Sequence, residues 1–199
     1  MVHRRAPAPE PGFAWIACKH GRPDLFTPAP ALAKPLDSLA VYGIREPGRW
    51  PLLYETPDPE GIALSWLDTL GSVCGGATDR AACMARVNRL SDPAATCPEQ
   101  KCRPFAIVTA GDDVRRVEAP RELLAWLALP IDTASKAALM AAMNGLPLAC
   151  PDAYHSGSQT RATEHGYEVF NPVGCVGGDK AEVRFDGTAT VRLGEMNEC

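Results

Sequence analysis

Eight cysteines run through the chain, at Cys18, Cys74, Cys83, Cys97, Cys102, Cys150, Cys175 and Cys199, and none stands in a C-x-x-C pair. An even number without close ligand pairs reads as four disulfides more readily than as metal or redox chemistry. Cytosolic thiols are kept reduced, so this reading puts the chain in an extracytoplasmic compartment: periplasm, cell envelope or medium. Cys74 and Cys83 flank a Gly75-Gly76 turn, where a helical fold-back brings Cβ atoms within the roughly 3.5–4.5 Å a bridge needs. Cys97 and Cys102 share one short loop. A Cys150–Cys175 link closes the excursion between them, and elimination leaves Cys18 with Cys199.

The N-terminus opens on His3, Arg4 and Arg5, which suits an export signal, but Ala6–Pro11 interrupts the apolar region that should follow. No export signal is visible, and the expectation is a processed form or an expressed fragment. A cytosolic protein with eight free thiols is the competing reading. At 199 residues, 46% hydrophobic and 22% charged, the chain can bury a core that disulfides reinforce. A net charge of −4 without a basic face argues against nucleic acid as partner. No apolar run approaches the roughly 20 residues of a membrane span.

Ten prolines between Pro7 and Pro57 disfavour regular structure. The expected organisation is a flexible tail over 1–12, a proline-rich irregular segment over 13–57 packed on the main domain, and an α+β domain over 58–199. Asp58-Pro59-Glu60 reads as a helix start, with Ile62, Trp66, Leu67, Leu70 and Val73 on one face. Thr78 or Asp79 caps a second helix through Leu90. Phe105–Thr109 and Val114–Val117 flank a Gly111-Asp112-Asp113 turn as a hairpin. Short helices are expected over Arg121–Leu129 and from Asp132 or Thr133 to Asn144-Gly145. Beyond them, Thr160–Thr163, Tyr167–Asn171, Ala181–Phe185 and Ala189–Leu193 read as antiparallel strands, the last two joined by a type I′ turn at Asp186-Gly187. The fold class is therefore α+β, with helices on one face of a hairpin-rich antiparallel sheet.

The stretch Val117–Thr133, which holds Pro130-Ile131-Asp132-Thr133, resembles an uncharacterised group of cell-envelope or secreted bacterial proteins of myxobacterial type. Ala137, Leu139, Asn144-Gly145 and Gly166-Tyr167-Glu168-Val169 extend the resemblance, which covers roughly Phe105–Leu193. Members often carry glycine before the Pro-Ile-Asp-Thr run and proline after it, where this chain has Leu129 and Ala134. The resemblance implies an envelope location and carries no catalytic residue. Pro130 also stops one helix while Asp132 or Thr133 caps the next, a physical role that needs no ligand.

Catalytic and metal patterns are short and lack their structural context. Gly71-Ser72-Val73-Cys74-Gly75 is not a nucleophile elbow. His155-Ser156-Gly157-Ser158 sets hydroxyls near an imidazole in a loop, and Thr133-Ala134-Ser135-Lys136 reads as a helix start. Cys74 with His155 forms a catalytic pair only if the thiol is free. Zinc would draw on Cys18, His20, Cys97, Cys102, His155 or His165 from distant segments, without two close ligand pairs. His165, before Gly166, suits a surface turn. Gly174–Gly178 lacks the dinucleotide pattern, and Asp112-Asp113 is too sparse for calcium. No cofactor is expected. A non-catalytic interaction or structural module follows, with a protein or another envelope component as partner. The alternatives are an exported hydrolase with a hidden Cys/Ser-His site, or a metal-binding protein.

Overall fold

Runs of alternating burial organise the chain into two antiparallel sheets. In this computed structural model the described residues are 8–44, 64–91, 103–151, 157–172, 178–192 and Gly194. The first sheet comprises β4 (Ser38–Ile44), β5 (Leu64–Gly71), β6 (Phe105–Ala110) and β7 (Asp113–Val117), in the order β5-β4-β6-β7. The second comprises β1 (Ala14–Trp15), β8 (Gln159–Thr163), β9 (Gly166–Pro172), β10 (Gly178–Arg184) and β11 (Ala189–Arg192), in the order β1-β8-β9-β10-β11. A small hairpin of β2 (Cys18–Lys19) and β3 (Arg22–Pro23) turns at His20-Gly21, both at positive φ.

Helix α1 (Arg80–Leu90) starts at Asp79, whose carboxylate accepts from the Ala82 N–H at 2.9 Å. It covers the outer face of the first sheet, where Cys83 and Val87 pack with Phe105, Ile107 and Cys74. A short helix α2 (Pro120–Leu123) follows β7. Helix α3 (Ala134–Met143), capped by Thr133, carries no charge after Lys136, and every residue from Ser135 to Met143 is buried. A helix apolar on all sides belongs between layers. α3 packs on β4 of the first sheet and on β8 to β11 of the second, within one core cluster that joins Leu39, Val41, Ala106 and Val108 to Val169, Ala181 and Val183. The layers therefore run α1, sheet, α3, sheet.

Several expectations are corrected. The stretch Leu64–Gly71 is strand rather than helix, paired with β4 from Ile44↔Leu64 to Ser38↔Gly71 around a bulge at Val41/Tyr42. Short apolar runs fit either period, and pairing with β4 decides. Asp58-Pro59-Glu60 lies outside the described residues. Ser38–Ile44, expected as irregular chain, is an interior strand, so residue 57 does not divide the sheet. Helices cover both faces of the first sheet, because β6 buries Phe105 and Ile107 on one side and Ala106 and Val108 on the other. After Leu123 the chain leaves the helix, and Leu127 instead bridges to Leu32.

Cys74 is bonded to Cys83 and Cys18 to Cys150. The second bond replaces the expected Cys18–Cys199 and Cys150–Cys175 pairs. The N-terminal segment docks early: Ile16 N–H donates to the Ser158 carbonyl, and Ser158 N–H to the Ala149 carbonyl. That ladder sets Cys18 beside Cys150, with Cα atoms 6.0 Å apart. Cys97, Cys102, Cys175 and Cys199 lie outside the described residues. Between β10 and β11, Gly187 takes φ +85° and donates to the Arg184 carbonyl, while Arg184 N–H donates to the Thr188 carbonyl. The loop is three residues with glycine in the left-handed position, rather than the two-residue type I′ turn.

Candidate functional site

The polar outer face of the second sheet gathers the charged groups that packing leaves over. Val169, Ala181 and Val183 face α3, so strand alternation turns Glu168 and Glu182 outward. Register puts Arg161, Glu168, Glu182 and Thr190 in one row across β8 to β11. Two carboxylates directly opposite repel. Arg161 and Lys180 both pair with Glu168, Lys180 Nζ at 3.2 Å. Burial of the Glu168 carboxyl would raise its pKa, and hydrogen bonds from Arg161 and Lys180 outweigh that, holding it below its ordinary value. At one end of this face a groove of about 450 Å³ is lined by Thr163, His165, Glu168, Glu182, Arg184 and Thr190. Hydroxyls, carboxylates and a guanidinium equip it to hydrogen-bond a polar surface.

Where the second sheet meets α3, Lys136 is 3% exposed. Its Nζ donates to the carbonyls of Ala128 at 3.1 Å and Pro130 at 3.0 Å, and to Asp132 Oδ1 at 2.9 Å. The Lys136 hydrogen bond holds the exposed Asp132 carboxyl below its ordinary pKa. Tyr167 Oη donates to the Asp132 carbonyl at 2.7 Å, and partial burial raises the phenol pKa. Pro130-Ile131-Asp132-Thr133 is thus a clamp: Thr133 caps α3 and Lys136 reaches back to hold the chain before it. A second cleft, about 170 Å³, lies between Trp15, Ile16, Thr27 and Pro28 and the start of α3 at Thr133 and Ser135.

The residues singled out by sequence pattern are dispersed. Cys74 and Cys18 are consumed in bridges, so neither offers a thiolate. His20 sits in the β2–β3 turn. Ser72 is exposed, in the turn where its N–H meets the Asp37 carbonyl. Ser158 is fully buried; its Oγ donates to Asn171 Oδ1 at 3.0 Å and accepts from the Ala149 N–H at 2.9 Å. Thr133 and Ser135 hydroxyls share a 3.2 Å contact at the helix cap. His165 is exposed in the β8–β9 turn, 4.0 Å from Glu164. His155 and Ser156 lie outside the described residues, as does most of Gly174–Gly178. Among the described residues no group of three or more His, Cys, Asp or Glu side chains converges as a metal site. No helix among them is long and apolar enough to cross a membrane.

Sequence pattern missed Lys136, Asp37 and the Glu168 cluster. Lys136 stands among alanines and leucines, and a lone lysine in such a run is the available signal. Asp37 joins distant turns, accepting from the Gly111 N–H at 2.8 Å, and nothing local marks it. No protein-family model, curated protein or solved structure matches the chain.

Proposed function

We propose that this chain is an extracytoplasmic, disulfide-stapled interaction or structural module of a bacterial cell envelope, without a catalytic centre of its own. The carrying observation is that all four described cysteines are bonded, and each bridge ties separate elements together. Such bridges persist where the surroundings are oxidising. The chemistry-bearing side chains support the same reading. Cys74 is spent in a bridge, Ser158 in buried hydrogen bonds, and Lys136 on carbonyls and Asp132. The resemblance of Val117–Thr133 to envelope proteins agrees, and the polar face of the second sheet is the candidate contact surface. Alkylation of native, unreduced protein followed by mass measurement tests the location. Protected cysteines throughout are expected, and eight alkylated thiols overturn it. Elemental analysis after dialysis tests the absence of a metal role, and stoichiometric zinc refutes that part.

A further inference from the structure

Antiparallel sheets end in edges, and an open edge is a template for another strand. Among the described residues, three of the four edges of the two larger sheets are occupied or flanked by charge. Asp113, Arg115 and Arg116 line β7. The β5 edge is covered where Leu25 N–H donates to Asp68 Oδ2 at 2.8 Å. β1 pairs with Gln159 and Thr160 of β8, and the charged Arg161 stands just beyond. β11 differs: Ala189, Thr190 and Val191 carry no charge, Arg192 alone ends the strand, and among the described residues β10 is the only strand beside it.

Hydrogen-bond parity defines what this edge offers. The bond from Arg184 N–H to the Thr188 carbonyl fixes the bonded pairs at every second residue, hence at Glu182–Thr190 and Lys180–Arg192. The N–H and C=O groups of Ala189 and Val191 therefore point away from β10. Beyond the strand, Gly194 N–H donates to Asp179 Oδ1 at 2.9 Å, which holds that residue on the β10 side of the strand. Ala189 and Val191 are half-buried against the main core, so a further strand would complete their burial.

Charge selects the occupant. Arg161 and Lys180 are both committed to Glu168. Glu182, opposite Glu168, has no ion pair among the described residues, and neither has Arg192. A twofold axis through Val191 sets this valine opposite its mate and Arg192 opposite Thr190 of the second copy. Thr190 is flanked on its other side by Glu182. Arginine of one copy then reaches across one strand to glutamate of the other, over roughly 10 Å between strands two spacings apart. The contact occurs twice.

We propose that two copies of this chain pair through β11, antiparallel and about a twofold axis, to make one continuous ten-stranded sheet. This deepens the interaction-module reading by naming its partner. The tests remain separable, because thiol protection reports compartment and sedimentation reports self-association. Sedimentation of the oxidised full chain up to about 200 µM is expected to show a reversible monomer–dimer equilibrium, in the weak range expected for a small interface. Val191→Pro removes an outward N–H while leaving the β10 ladder intact, and it weakens the dimer at least about tenfold. Should that variant fold poorly, charge decides: Arg192→Glu weakens the dimer, and Glu182→Arg with Arg192→Glu restores it. A protein monomeric throughout that range, or Arg192→Glu dimerising with undiminished affinity, overturns the proposal.

Discussion

At the scale of single residues, the buried ammonium of Lys136 does more than any catalytic candidate to shape the molecule. The carbonyls of Ala128 and Pro130 both accept from it, and the side chain that carries it is 4% exposed. Lys136→Met keeps the length and removes three hydrogen bonds. It is expected to cost about 1.5–3 kcal/mol, the range for losing hydrogen bonds made by a charged group. Urea unfolding measures it, and a change below 0.5 kcal/mol, the size of an ordinary surface substitution, contradicts the clamp. Glu168 gives a pH-dependent counterpart. Its folded pKa lies below the ordinary value of 4.5, so its ion pairs contribute stability that is present above that value. The contribution is lost as pH falls through the depressed folded value. Stability curves of wild type and Glu168→Gln should therefore differ most near neutrality and converge in acid. A difference that widens below pH 4 reverses the sign and rejects the assignment.

At the scale of elements, the two bridges differ in how much chain they close. Cys18 and Cys150 are separated by 132 residues, Cys74 and Cys83 by 9. In the chain-entropy model the long loop contributes about 5 kcal/mol and the short one about 2.5–3 kcal/mol, before strain. Paired alanine substitutions, compared by denaturant midpoint in oxidised protein, should rank Cys18/Cys150 as the costlier loss; equal losses argue that the N-terminal segment is already held in the unfolded chain. Locally encoded elements were legible in the sequence. Asp79 and Thr133 cap helices by short-range hydrogen bonds, and the Gly111-Asp112 turn lies between two short extended runs. Elements decided by distant partners were not. Leu64–Gly71 carries helical spacing yet pairs along its length with Ser38–Ile44, which the prolines on either side of it had marked as irregular. Cys150 faced a choice between Cys175 and Cys18 that only the docking of Ile16 onto Ser158 resolves. The polar face had the same limit: Arg161, Glu168 and Lys180 lie on three strands, and register alone brings them together.

At the scale of the whole molecule, α3 decides whether the two sheets behave as one body. Among the described residues no strand pairs across from one sheet to the other, so each has its own ladder. Both sheets pack on the same helix, and Leu39 and Val108 of the first share one core cluster with Val169 and Ala181 of the second. Alanines at 137, 138, 141 and 142 let both sheets approach closely, while Leu139 and Met140 fill what remains. Neither sheet keeps its apolar face from water once α3 leaves, which ties their stabilities together. Leu139→Ala removes a fully buried side chain and is expected to cost about 3–4 kcal/mol, from lost transfer energy plus the cavity left behind. The test of coupling is where that loss is felt. Amide exchange in β6 and β10, measured in one sample, should accelerate by the same factor, because global unfolding is then the opening step for both. A loss confined to β10 would show that the second sheet opens while the first stays closed, and the protein would then be two units sharing a helix.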